Sequence, residues 1–205
     1  RKRSNRRSIY LDGDFFCGVD AEVIERLGLK EGMEVDEEQM LRITLTEEKL
    51  KAKRYALNLL SYRMRSRSEL TGRLRQKGFD GDMIGELADD LEQVGLLDDL
   101  EFAKSWIRTR MDLNPKSFYA IEKELYRKGV KREVIEQAED ELRGQFDEKM
   151  IALSVARKRL ASLKGLEPRD VNRRILGFLS RRGFSYEIAK WVIEELKGQK
   201  RYDVQ

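Results

Sequence analysis

The sequence predicts a mainly helical protein of three tandem three-helix repeats, forming an elongated curved array behind a small N-terminal unit that contains a β-hairpin. Three observations carry this expectation. Of the 205 residues, 40% are hydrophobic and 39% charged, with only 2 prolines, the balance of a helix-rich chain with charged outer faces. One apolar pattern recurs around three glycines. A single Asp-Gly pair near the start stands between two apolar runs.

From the N-terminus, residues 1–8 read RKRSNRRS, a stretch with nothing to bury and therefore expected to be a mobile basic tail. Residues 9–45 make the small unit. Ile9 to Leu11 and Asp14 to Cys17 flank Asp12-Gly13, a strong local hairpin signal. Asp20 then caps a short helix that stops at Gly28. Leu29 to Leu45 reads as a connector holding a further turn or two of helix, with Asp36 as a second cap. A lone hairpin is marginally stable in water, so this unit must lean on the rest of the chain.

Gly78, Gly129 and Gly183 recur at intervals of about 50 residues. Eight residues before them stand Leu70, Ile121 and Ile175, and four before stand Leu74, Leu125 and Leu179. The preceding residue is always basic (Lys77, Lys128, Arg182) and the following one apolar (Phe79, Val130, Phe184). Beyond each turn come Met83, Leu87 and Leu91, then Val134, Ala138 and Leu142, then Ile188, Val192 and Leu196. These offsets place apolar residues on one face of a helix before each glycine and of another after it. A left-handed glycine just past the first of these helices would bring its apolar successor onto the leucine four residues before, as a Schellman cap does. Asp82, Glu133 and Glu187 then fall in the first turn of the next helix, where the macrodipole favours negative charge.

An earlier amphipathic helix precedes each pair, through Ala52, Ala56, Leu59 and Leu60, then Phe102, Ala103, Trp106 and Ile107, then Ala152, Val155, Ala156 and Leu160. The repeats therefore span 46–97, 98–146 and 147–198, with a tail at 199–205. Ser66 with Glu69 and Asp98 with Glu101 suit helix N-termini. Pro115 and Pro168 sit near the start of the second helix in their repeats, where a missing N–H costs nothing. Tandem units of this kind complete one another's cores and stack.

Several function classes are disfavoured. No histidine is present, and there is no GxxxxGK loop, HExxH or metal-spaced cysteine cluster, so no catalytic residue, metal or cofactor is assigned. Asp89-Asp90 and Asp98-Asp99 read as a solvated helix end and a cap. The single cysteine, Cys17, rules out an internal disulfide and is expected to fill a small apolar gap in a protein of a reducing compartment. No apolar run approaches a membrane span and no signal-peptide core stands at the start, which opens on Arg1. A soluble, cytoplasmic monomer is expected.

The 42 Lys and Arg against 38 Asp and Glu leave a net charge of only +4, so placement matters more than total. The second helices are basic and the third acidic, notably through Glu86, Asp89, Asp90 and Glu92, then Glu136, Glu139, Asp140 and Glu141. A charge run is usually a solvated face, but the same segregation three times over points to one basic ridge. The candidate partner-binding residues are Arg65, Arg67, Arg73, Arg75, Lys77, Lys123, Arg127, Lys128, Arg174, Arg181 and Arg182. A helix, a glycine turn and a second helix also describe a DNA-reading helix-turn-helix. Here the helix after the turn is mainly acidic, which opposes groove reading and leaves weak backbone binding open.

The assembled residues resemble the RecX family. The resemblance rests on Arg65-Ser66, Glu69-Leu70, Arg73-Leu74 and Lys77-Gly78-Phe79, on the joint Gly95-Leu96, Asp98-Asp99 and Phe102-Ala103, and on Arg181-Arg182-Gly183-Phe184. It covers about residues 47 to 197, and the unit at 9 to 45 is similar to the N-terminal extension of some members. What it implies is a non-catalytic modulator, usually an inhibitor, lying in the groove of the RecA filament on single-stranded DNA. Filament growth, ATP hydrolysis, strand exchange and repressor cleavage in the SOS response would be restrained, with weak direct DNA binding as a further property.

Overall fold

The computed structural model describes residues 5–202. Strand β1 (Arg6–Leu11) pairs antiparallel with β2 (Asp14–Asp20). Asp12 and Gly13 between them have φ of 51° and 93°, the two left-handed residues that a tight primed hairpin turn requires. The expected hairpin is present, and it starts earlier than expected. Arg6, Arg7 and Ser8 belong to β1 rather than to a mobile tail, because Arg6 has partners: its guanidinium donates to the Gly18 carbonyl at 2.5 Å and pairs with Glu47 at 3.3 Å. Residues 1–4 of that tail lie outside the described residues.

Helix α1 (Ala21–Leu27) is capped by Asp20, which accepts from the Glu22 N–H, and it ends at Gly28. Helix α2 (Glu37–Tyr62) opens on a reciprocal capping box between Asp36 and Gln39. It corrects the reading of 29–45 as mostly connector. From Asp36 to Tyr62 no glycine or proline interrupts the chain, so the helix nucleated at Asp36 runs unbroken through the boundary drawn at 45/46 into the first helix of the first repeat.

Val19, Val23 and Ile43 form a small core with Ile9, Phe16, Leu29 and Leu50, and Cys17 packs against it. Burial, then the Glu47 carboxylate, pushes the Cys17 thiol up, as befits a gap-filling thiol. The hairpin leans on α2 through polar contacts as well. Glu47, 5% exposed, accepts from the Asp20 backbone N–H at 2.8 Å, and Arg54 of α2 pairs with Asp20 and with Glu22.

The repeats continue as α3 (Arg67–Gln76), α4 (Gly81–Gln93), α5 (Asp99–Leu113), α6 (Phe118–Arg127), α7 (Arg132–Leu142), α8 (Glu148–Leu160), α9 (Pro168–Arg181) and α10 (Tyr186–Tyr202). Helix α10 thus runs on past residue 198, where the tail was expected to begin. Each three-helix set has its own core: one around Ala52, Leu70, Leu74 and Leu87, one around Phe102, Ile121, Leu125 and Ile135, and one around Ala152, Ile175, Leu179 and Val192. The three glycines have φ of 93°, 72° and 85°. Phe79, Val130 and Phe184 donate their N–H to the carbonyls of Leu74, Leu125 and Leu179 at 3.2–3.3 Å. These are the long bonds of three equivalent Schellman caps.

Contacts divide the chain differently from the repeat boundaries. One compact unit runs through Met64 and includes Leu70–Leu97; the other holds Arg65–Glu69 and the chain from Asp98 onward. Pro168 is the first residue of α9, as expected. Pro115 stands two residues ahead of the α6 cap, Ser117, outside the helix rather than within its first turn.

Candidate interaction surface

The second helix of each repeat buries one stripe: Leu70 and Leu74 in α3, Ile121 and Leu125 in α6, and Val171, Ile175 and Leu179 in α9. Helical periodicity carries intervening residues outward. Arg73, Arg75 and Lys77, then Lys123 and Arg127, then Arg174 and Arg181 are exposed. On α6 the surface also carries aromatic rings, with Tyr119 58% exposed and the Lys123 ammonium 4.1 Å from its centroid. Arg65 and Arg67 are half-buried and engaged with neighbours.

Lys128 and Arg182 are drawn into the protein instead. The Lys128 ammonium pairs with Glu69 at 2.7 Å, with only 19% of its side chain exposed, and lies 4.2 Å from the Trp106 ring centroid. The Arg182 guanidinium donates to Asn114 Oδ1 at 2.9 Å and to the Pro115 carbonyl at 2.6 Å, and its centre is 4.8 Å from the Phe178 ring. Their carbonyls are engaged too. Ser66 Oγ donates to the Lys128 carbonyl at 2.5 Å, and the Ser117 N–H donates to the Arg182 carbonyl at 3.0 Å. The basic residue before the second and third glycines therefore fastens the turn to the start of the preceding repeat's second helix.

The serines make the other half of this joint. Ser66 and Ser117 are buried, at 0% and 1% exposure, and each accepts a backbone N–H of its own helix, from Glu69 and from Ala120, at 3.1 Å. The sequence reading found the first as a helix cap and missed its second role. The available signal was the common spacing of both serines from their repeat's glycine.

A further cluster binds α5 to α6. Glu124, 14% exposed, accepts from Trp106 Nε1 at 3.0 Å, from Arg110 Nε at 2.5 Å and from the Lys116 ammonium. Burial works to raise this carboxyl, but the Lys116, Arg110 and Trp106 donors outweigh it and hold it below the usual range. The acidic third-helix residues are exposed, apart from Glu139 and Glu195, which are half-buried. Among the described residues no group of three or more His, Cys, Asp or Glu side chains is placed to hold a metal ion, and no helix is long and apolar enough to cross a membrane.

This architecture coincides with one family along nearly its whole length. Residues 52–91, 98–138 and 147–193 match the first, second and third three-helix domains of RecX, and residues 1–36 match the N-terminal domain of regulatory protein RecX. The chain belongs to the RecX family. It is 32% identical to regulatory protein RecX of Clostridioides difficile over 100% of this chain and 95% of that one. With the RecX of Amycolatopsis mediterranei it shares 41% identity over 71% of this chain and 82% of the relative. A RecX crystal structure superposes with a TM-score of 0.75 at 25% identity, covering 94% of this chain and 96% of that one. RecX from Lactobacillus salivarius superposes at 0.66 with 28% identity, over 74% of this chain and 98% of its own. The family is one of regulatory proteins.

Proposed function

We propose that this RecX protein regulates homologous recombination and DNA repair by gripping the RecA filament on single-stranded DNA through its basic second helices. It acts there as a cytoplasmic monomer, without catalysis, and restrains ATP hydrolysis, strand exchange and RecA-stimulated repressor cleavage. The observation that carries this reading is that exposed basic residues recur on or just past the second helix of each repeat: Arg73, Arg75 and Lys77, then Lys123 and Arg127, then Arg174 and Arg181. Each such charge contributes about 0–1 kcal/mol at an exposed site. Joined in one chain, they gain by effective concentration on a partner that is itself a repeating array.

Direct DNA binding is the second reading, favoured by the Tyr119 and Lys123 pair on α6. The acidic α4 and α7 oppose a helix-turn-helix mode of groove reading.

Co-sedimentation with RecA filaments on single-stranded DNA, compared with naked single- and double-stranded DNA, separates the two. The filament is expected to bring down the protein when naked DNA of either kind does not, and binding should weaken with salt. A variant with Arg73, Arg75, Lys123 and Arg127 all changed to Glu is expected to stay folded and to lose inhibition of the RecA ATPase. Undiminished inhibition by that folded variant would overturn the assignment of the surface, and binding to naked DNA equal to that on filaments would overturn the choice of partner.

A further inference from the structure

Between the start of α6, the end of α7 and the start of α8 lies a pocket of about 350 Å³, lined by Phe118, Glu139, Arg143, Phe146 and Glu148. It is at the small end of the roughly 300–1,000 Å³ range of ligand pockets. Glu139 lines it, and the buried Oε1 of this residue accepts no hydrogen bond from the protein. Such an atom is rare in folded proteins and calls for an explanation. Glu148, also on the lining, receives the Phe118 backbone N–H on its Oε1 at 3.2 Å. Arg143, the cation on the wall, is three-quarters exposed on its side chain and pairs with Asp140 at 3.3 Å.

We propose that this pocket receives an arginine side chain presented by a protein partner, its guanidinium held by Glu139 and Glu148 against the rings of Phe118 and Phe146. The chemistry of the lining selects this occupant. Among the described residues no group of three or more His, Cys, Asp or Glu side chains is placed to hold a metal ion, and two carboxylates beside two aromatic rings are a poor cage for a divalent cation. A lysine ammonium is strongly hydrated and gains less from flat aromatic walls than a planar guanidinium, which stacks on rings and offers five donors to separated carboxylates. Burial, then Glu122, pushes Glu139 up to about 7, and burial also raises Glu148 against the lowering effect of the Phe118 N–H. None of the seven basic positions above lines the pocket, and its role does not depend on them.

Glu139 faces Glu122 of α6, Glu136 and Asp140 of its own helix, and Arg143 just beyond that helix, and Glu148 of α8 lines the same cavity. A bound guanidinium favours the ionised form of Glu139, so binding should tighten as pH rises through about 7.

The test is amide NMR of the full chain titrated with N-acetyl-argininamide, with N-acetyl-citrullinamide as the neutral isostere and magnesium chloride as a competing cation. The expected result is saturable shifts at the Phe118 and Phe146 amides with the arginine compound alone. Affinity should be about tenfold higher at pH 8 than at pH 6. Glu139→Gln, which removes a charge without changing volume, should weaken binding at pH 8 at least fivefold and abolish the pH dependence; Glu148→Gln should also weaken it. Non-saturating shifts, equal shifts from citrulline, or unchanged affinity in Glu139→Gln would overturn the proposal. Saturable shifts from magnesium would overturn it in favour of a metal site. The citrulline and magnesium arms use the unaltered protein, so they decide the matter even if a variant folds poorly.

Discussion

The hydroxyl of Ser66 donates to the carbonyl oxygen of Lys128 at 2.5 Å while accepting the backbone N–H of Glu69 at 3.1 Å. One buried oxygen thus satisfies one of the helix's N-terminal donors and holds the turn of the next repeat. At the matching joint the work is divided: Ser117 caps α6 with its side chain but reaches the Arg182 carbonyl with its backbone N–H.

Ser66→Ala should therefore cost more than Ser117→Ala. The first loses a helix cap and leaves the part-buried Lys128 carbonyl without this donor, about 1–3 kcal/mol. The second loses only the cap, about 1 kcal/mol. Urea unfolding of both variants checks the order.

Gly129 and Gly78 share a conformation but not an environment. Both have positive φ, yet a β-carbon on Gly78 would meet nothing within 4 Å, whereas one on Gly129 would collide with the Cβ and Oγ of Ser68. Gly78→Ala should cost about 1–2 kcal/mol from backbone strain alone. Gly129→Ala should cost about 1–3 kcal/mol more from overpacking, and Gly129→Val more again. Equal shifts in melting temperature for the two alanine variants would show that the turn of the second repeat is not packed on α3 as described.

Lys128 and Arg127 are neighbours in sequence with separate duties. Lys128→Met keeps the apolar stem but removes the charge facing Glu69 and Trp106, so stability should fall by about 1–2 kcal/mol. A cycle with Glu69→Gln should reveal coupling of about 1 kcal/mol. Arg127→Glu should leave the unfolding midpoint within about 0.5 kcal/mol and weaken RecA-filament binding instead. Unfolding curves measured beside filament co-sedimentation distinguish the two roles.

Glu139 makes stability depend on pH. Its carboxyl is held up to about 7 in the folded chain, above the ordinary value of 4.5. The folded state therefore binds the proton more tightly than the unfolded state, and the group's contribution is fully present below about 4.5 and lost as pH rises through about 7. Glu139→Gln should gain on the wild type over that window, by about 1–2 kcal/mol at pH 8 after allowance for solvent screening. Unfolding at pH 5 and pH 8 checks this, and a gain independent of pH would assign the effect to packing.

Local rules made much of this protein legible in its sequence. The Asp12-Gly13 turn, the caps at Asp20, Asp36 and Asp98, and the three Schellman glycines depend on residues within a few positions of one another, where spacing alone specifies contact. The repeat pattern gave the apolar faces for the same reason, since a helix brings residues three and four apart together. The unbroken run of α2 was also legible in principle, from the absence of any breaker between Asp36 and Tyr62. It was obscured by taking the repeat as the unit of structure.

What only the tertiary structure decided lies between segments far apart in the chain. Eleven basic residues looked alike as candidates, and the fold separated them, turning Lys128 to Glu69 and Trp106, and Arg182 to Asn114 and Pro115, while leaving Arg73, Arg127 and Arg181 exposed. Glu139 likewise counted as one more acid on a solvated face until packing buried one of its oxygens in a pocket. Charge type is written in the sequence, but whether a charge meets water, a counter-ion or an aromatic ring is set by the neighbours that folding brings to it, and those energies depend on the burial reached there.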